Sequence, residues 1–239
     1  MDSIKVKSGK TLMIAHRGLS GIELENTNAA FIAAGNRSYY GIETDVHKTS
    51  DGKFVVFHDD NTGRLCDTDV IVEETDFETL RSLKLHTLGG DDTRPELRIP
   101  TLKEYINTCK RYEKIAVLEL KNEFTKEEIG EIVGEIKEVE YLDKMVFISF
   151  CFENLVRLRE IVPGAVVQFL IDDYDDSLIE KLSSHHFDLD IKYTSLTPEN
   201  MRALHAAGIK INCWTCNSKD DADILIMNGI DYITSNILE

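Results

Sequence analysis

Short runs of apolar, β-branched residues alternate with amphipathic stretches along almost the whole chain. Runs at 11–15, 41–46, 54–57, 115–120, 145–149, 165–170, 187–191, 209–213 and 232–234 have the length and composition of strands. Several are apolar on both faces, as strands covered from both sides are. Between them the spacing changes to a helical period, and side chains mark the starts. Thr101 with Glu104 makes a capping box before Leu102, Tyr105, Ile106 and Cys109, which share one face. Thr125 with Glu128 repeats the device before Ile129, Ile132, Val133 and Ile136. Thr197-Pro198 is an N-cap followed by proline at the first helical position, and Ser218 with Asp220 and Asp221 opens the helix before the final strand. The run Asp172, Asp173, Asp175, Asp176 reads as a solvated helix entrance suited to the helix dipole, with a calcium loop as the alternative.

One run breaks the alternation. Asp51-Gly52 is a hairpin signal, so 54–57 should fold back along the strand that begins at Gly41. Without that return strand, eight strands with helices between them remain in 239 residues. The expected fold is a TIM (β/α)8 barrel, one domain over 1–239. The stretch 61–99 is polar, acidic and weakly periodic, and reads as a small insertion on the barrel.

Composition adds exclusions. Hydrophobic residues make up 42% and charged residues 29%, a globular balance, while 43 Asp and Glu against 27 Lys and Arg leave a formal charge of -16. That field repels nucleic acid and anionic lipid, so neither is an expected partner, and an anionic substrate needs a local cation. No apolar run reaches membrane-spanning length and residues 1–10 do not resemble a signal peptide. Five scattered cysteines read as reduced thiols in a cytoplasmic setting, Cys213-Trp-Thr-Cys216 included.

In a TIM barrel the active site lies at the C-terminal ends of the strands, so polar residues there carry information. The first strand ends in His16-Arg17-Gly18, the second in Glu43-Thr44-Asp45, the return strand in His58-Asp59, and the next barrel strand in Glu119-Leu120-Lys121. The hairpin brings His58 level with Glu43 and Asp45. Residues at i and i+2 share a face, so Glu43 with Asp45, and Glu119 with Lys121, project together. Carboxylates about 4 Å apart at an effective dielectric near 20 repel by roughly 4 kcal/mol per pair. Either one holds a proton or a hard cation sits among them, Mg²⁺ or Ca²⁺ rather than zinc. His16 and His58 read as a general acid–base pair, and Arg17 and Lys121 suit phosphate oxygens. The alternative for Arg17 is an ion pair with Glu25. The composition is that of a phosphoryl-transfer or phosphodiester-hydrolysis site.

His16-Arg17-Gly18, Glu25-Asn26-Thr27, Glu43-Thr44-Asp45, His58-Asp59, Glu119-Leu120-Lys121 and Trp214-Thr215 with Asn217 occur in that order. Together they resemble the glycerophosphodiester phosphodiesterase family from His16 to the C-terminus. The resemblance implies a barrel with a small insertion and metal-dependent hydrolysis of small glycerophosphodiesters to glycerol 3-phosphate and an alcohol. It implies Glu43, Asp45 and Glu119 as ligands of one divalent cation, His16 and His58 as the acid–base pair, Arg17 and Lys121 on phosphate, and Trp214 on the glycerol side. Ser149 and Gln168, also near strand ends, are candidates for polar pocket walls. Two departures stand out: Leu24 where the family usually has proline, and Ser235-Asn236 where it often has an acidic residue. A phospholipase acting on lipid head groups and a barrel that only binds a phosphorylated ligand are the competing readings.

Overall fold

The computed structural model describes residues 2–90 and 94–239. Eight parallel strands close into a barrel: β1 (Leu12–Ala15), β2 (Gly41–Lys48), β4 (Ile115–Leu120), β5 (Met145–Ser149), β6 (Val166–Ile171), β7 (Asp188–Lys192), β8 (Ile211–Trp214) and β9 (Tyr232–Ser235). Closure comes from β1, which pairs with β2 on one side and β9 on the other. The return strand β3 (Phe54–Val56) runs antiparallel to β2, and Gly52 supplies the positive φ of 79° that the turn requires. This is the expected (β/α)8 barrel.

Helices α1 (Asn28–Gly35), α3 (Leu102–Arg111), α4 (Lys126–Glu138), α5 (Phe152–Ile161), α6 (Ser177–His185), α7 (Pro198–Ala206) and α8 (Lys219–Met227) cover the outside, while α2 (Phe77–Ser82) lies between β3 and α3. The capping boxes of Thr101 with Glu104 and Thr125 with Glu128 are both formed, and Ser218 accepts from the Asp221 amide. At the acidic entrance of α6 it is Asp175 that accepts from the Ser177 amide, one residue earlier than the formal cap.

Apolar side chains separate into three groups. The largest fills the space between strands and helices, where the Tyr105 hydroxyl donates to the Ile42 carbonyl at 2.7 Å. A small inner group, Ile14, Val117, Ile148 and Leu170, plugs the barrel itself. A third joins Val55 and Phe57 to Leu65, Val72, Leu80, Leu85, Leu97 and Ile99, the apolar residues hidden in the weakly periodic stretch 61–99. Leu24 packs into this group. The residue standing in for proline therefore fixes its loop by burial instead of by a locked φ. Positions 91–93 of that stretch lie outside the described residues.

Candidate active site

The mouth is assembled by three residues at positive φ, Arg17, Gly18 and Asn26. After β1 the chain turns at Arg17 and Gly18, whose φ angles are 53° and 76°. A Cβ at position 18 would stand 2.7 Å from the Ala30 carbonyl carbon, so only glycine fits. The turn lets the Arg17 amide donate to Glu43 Oε2 at 2.8 Å. Asn26, at φ 52°, donates through Nδ2 to Asp45 Oδ2 at 2.7 Å and accepts from the Thr44 hydroxyl at 2.7 Å. Its neighbour Thr27 caps α1. Glu25-Asn26-Thr27 thus fixes three things at once, because Glu25 also accepts from Arg17 Nη1 at 2.8 Å.

Glu43, Asp45 and Glu119 are buried together, one oxygen of each within 4.8 Å of the others. Burial, with Asp45 and Glu119 beside it, pushes the Glu43 carboxyl well above its ordinary range. Burial and Asp45 push Glu119 up to about 8. Asp45 goes the other way: burial would raise it, but Arg17, His58, Lys121 and the Asn26 hydrogen bond outweigh that and hold it low. Asp45 Oδ1 is buried with no hydrogen-bond partner among the described residues. An all-oxygen cluster that must otherwise retain protons, with Asp45 Oδ1 and Glu119 Oε1 both buried and accepting no hydrogen bond among the described residues, fits a hard divalent cation.

The two imidazoles differ in their supports. His16 Nδ1 lies 2.7 Å from Asn236 Oδ1, so the departure at 235–236 supplies a neutral amide partner. His58 Nδ1 lies 2.6 Å from the Asp59 carboxylate. Burial first, then Arg17, lowers His16 to about 4; His58 is lowered by burial, with Asp45 and Asp59 opposing. Arg17 forms the ion pair with Glu25 that was its alternative reading, and its Nε stands 3.8 Å from Asp45. Lys121 Nζ lies 3.1 Å from Glu119 and 3.8 Å from Asp45. His47, next after Asp45 on the same strand face, was passed over in the sequence and pairs with Glu73 of the inserted stretch at 3.1 Å.

A small cavity opens over this cluster. His16, Arg17, Glu43, His58 and Glu119 line one side, with Asp45 and Lys121 immediately behind. Ile148, Leu170, Asp190, Trp214 and Thr234 line the other, and Phe150 meets Trp214 edge-on at 5.6 Å. Asp190 Oδ1 and Trp214 Nε1 are buried with no hydrogen-bond partner among the described residues. The sequence reading found Trp214 and missed Asp190. The available signal was an acid in mid-strand, between the apolar Leu189 and Ile191. Ser149 and Gln168 are corrections. Ser149 faces away from the cavity and donates to the Leu120 carbonyl, while Gln168 sits one layer below Leu170 and accepts from Asn212. Cys213 and Cys216 are buried, unpaired thiols, Cys216 pushed up by burial to about 11, which leaves no reactive pair.

Residues 16–238 match the sequence model of the glycerophosphoryl diester phosphodiesterase family. A glycerophosphodiester phosphodiesterase of Caldanaerobacter subterraneus subsp. tengcongensis is 30% identical over 95% of this chain and 94% of its own. The mouse glycerophosphodiester phosphodiesterase 1 is 27% identical over 95% of this chain and 78% of its own. Among solved structures, an Oleispira antarctica phosphodiesterase in complex with the product sn-glycerol-3-phosphate superimposes with a TM-score of 0.84 at 27% identity, over 98% of this chain and 96% of the other. No helix among the described residues is long and apolar enough to cross a membrane.

Proposed function

The chain belongs to the glycerophosphoryl diester phosphodiesterase family, and from that premise we propose that it hydrolyses glycerophosphodiesters to sn-glycerol 3-phosphate and an alcohol. One observation supports this most: a buried three-carboxylate cluster, two separately held imidazoles and a guanidinium share a single small cavity. We read the chain as one catalytic domain with 61–99 inserted.

Glu43, Asp45 and Glu119 would hold one divalent cation, Mg²⁺ or Ca²⁺, which would supply positive charge to offset that of the phosphodiester. Arg17 and Lys121 orient the same oxygens. Asn236 Oδ1 accepts a hydrogen bond, so His16 carries its proton on Nδ1 and presents the Nε2 lone pair. A neutral, buried imidazole of that tautomer acts as base and takes a proton from the attacking oxygen, water or the glycerol 2-hydroxyl. His58 has a carboxylate behind its ring, which favours the imidazolium, so it protonates the departing alkoxide as the phosphorus–oxygen bond breaks. Trp214 and the apolar wall take up the glycerol carbon skeleton.

The test is a panel of soluble glycerophosphodiesters and phospholipid vesicles, assayed for glycerol 3-phosphate with chelator, Mg²⁺ or Ca²⁺. Release from soluble diesters only when a cation is present is the expected outcome. Thermal stabilisation by glycerol 3-phosphate without hydrolysis under any of these conditions would mark a binding barrel, and turnover confined to vesicles a phospholipase.

A further inference from the structure

Arg64 lies in the stretch between β3 and α3, outside the cavity, and binds two carboxylates that come from different loops. Its Nη2 and Nη1 grip Glu25 at 2.7 and 3.0 Å, and its Nε donates to Asp59 Oδ2 at 2.6 Å. Each carboxylate also holds a side chain of the cavity: Glu25 holds Arg17 at 2.8 Å and Asp59 holds His58 at 2.6 Å. We infer that Arg64 is a positioning residue for the reaction, fixing the His58 imidazole and the Arg17 guanidinium through these two shared carboxylates. The inference rests on the roles proposed above for His58 and Arg17.

The planar fork explains why arginine stands here. A guanidinium can satisfy one carboxylate along one edge and a second at Nε, at a fixed angle, which an ammonium on a flexible stem cannot. An isolated ion pair on a half-exposed side chain would contribute little. Here both anions are already engaged by active groups, so the fork sets the distance between two chain segments whose ends carry the chemistry. Without it Glu25 and Asp59 are each held by one partner and can swing with it. A misplacement of about 1 Å in such a group can reduce turnover about 10²-fold.

Other arginines of the same stretch provide the control. Arg81 grips Glu104 at 2.7 and 2.8 Å and so also fastens the insertion to the barrel, but Glu104 otherwise meets Thr101 and Asn28, neither of which lines the cavity. If Arg64 were only a fastener, the two would behave alike.

The experiment compares Arg64→Ala, Arg64→Lys and Arg81→Ala in the full chain with saturating cation, reading kcat, KM and Tm on glycerophosphocholine. Arg64→Ala is expected to lose about 10-fold to 100-fold in kcat/KM, through both kcat and KM. Arg64→Lys recovers only part of this, and Arg81→Ala stays within about twofold of wild type at a similar loss of Tm. In a chain carrying Glu25→Gln and Asp59→Asn, Arg64→Ala costs less than about twofold more, because the intermediaries are already altered. Wild-type kcat/KM in Arg64→Ala, or a loss no larger than that of Arg81→Ala, would overturn the inference. Should Arg64→Ala not fold, full activity in Arg64→Lys overturns it equally. An inactive wild type, or an active His58→Ala, would instead strike the reading on which it rests.

Discussion

The strands β1, β2 and β4 bring charge to the mouth, whereas β5, β6, β7 and β8 bring a wall of Ile148, Leu170, Trp214 and the single acid Asp190. On the charged side each reactive group has a hydrogen-bonded support, Glu43 from the Arg17 amide, Asp45 from Asn26, His16 from Asn236 and His58 from Asp59, although Arg17 Nε, Asp45 Oδ1 and Glu119 Oε1 stay buried without a hydrogen bond among the described residues. On the wall, Asp190 Oδ1 and Trp214 Nε1 point into the cavity untied. Buried polar groups are normally satisfied, so the supported groups are preorganised, while Asp190 and Trp214 lack any such support. On the function proposed above, the first side would serve chemistry and the second the choice of substrate.

That division makes predictions of decreasing size. His16→Ala should lower kcat on glycerophosphocholine by about 10²-fold or more with cation present, because it removes the proposed general base. Full activity in steady-state assays would remove His16 from the mechanism. Trp214→Ala, on the wall, should raise KM by about tenfold while kcat moves by less than about threefold, the loss of one aromatic and hydrogen-bonding contact being worth about 1.4 kcal/mol. A kcat collapse with KM unchanged would erase the distinction between the halves.

The smallest effect is on stability. Without a cation, burial and the Asp45 charge push Glu119 up to about 8 against an ordinary 4.5, and Glu43 is displaced in the same direction. Between those values the folded chain keeps protons that the unfolded chain has released, so stability falls as pH rises toward about 8. Tm of the metal-free protein should therefore drop by a few degrees between pH 6 and 8. Glu119→Gln should flatten the trend, and added cation should raise Tm most at the alkaline end. A wild-type Tm that climbs over this range, chelator present, would contradict the proton-holding cluster.

Much of this was legible in the sequence, for reasons of geometry. Strand period places Glu43 with Asp45, the Asp51-Gly52 turn returns His58 to their level, and capping boxes mark where outer helices begin. The same period would have excluded Ser149, whose neighbour Ile148 already occupies the inward face of β5. Gln168 faces inward but too deep, and depth is set by barrel stagger, which one strand's sequence does not show. What remained hidden were the supports. Arg64 reaches Glu25 from 39 residues away and Asn236 reaches His16 from 220. Such partners are chosen by folding and leave no local pattern. The apolar group under 61–99 was likewise invisible because its members have no shared period and meet only around Val55 and Phe57.

The contact between His16 and Asn236 also ties competence to the final seam. One member comes just after the first stave and the other just after the last, so the imidazole acquires its tautomer only when β9 docks on β1. A chain with seven staves in place and the eighth astray would keep its carboxylates near one another yet have an unaimed base. Turnover therefore reports complete circular closure, which a measure of helix content alone would miss.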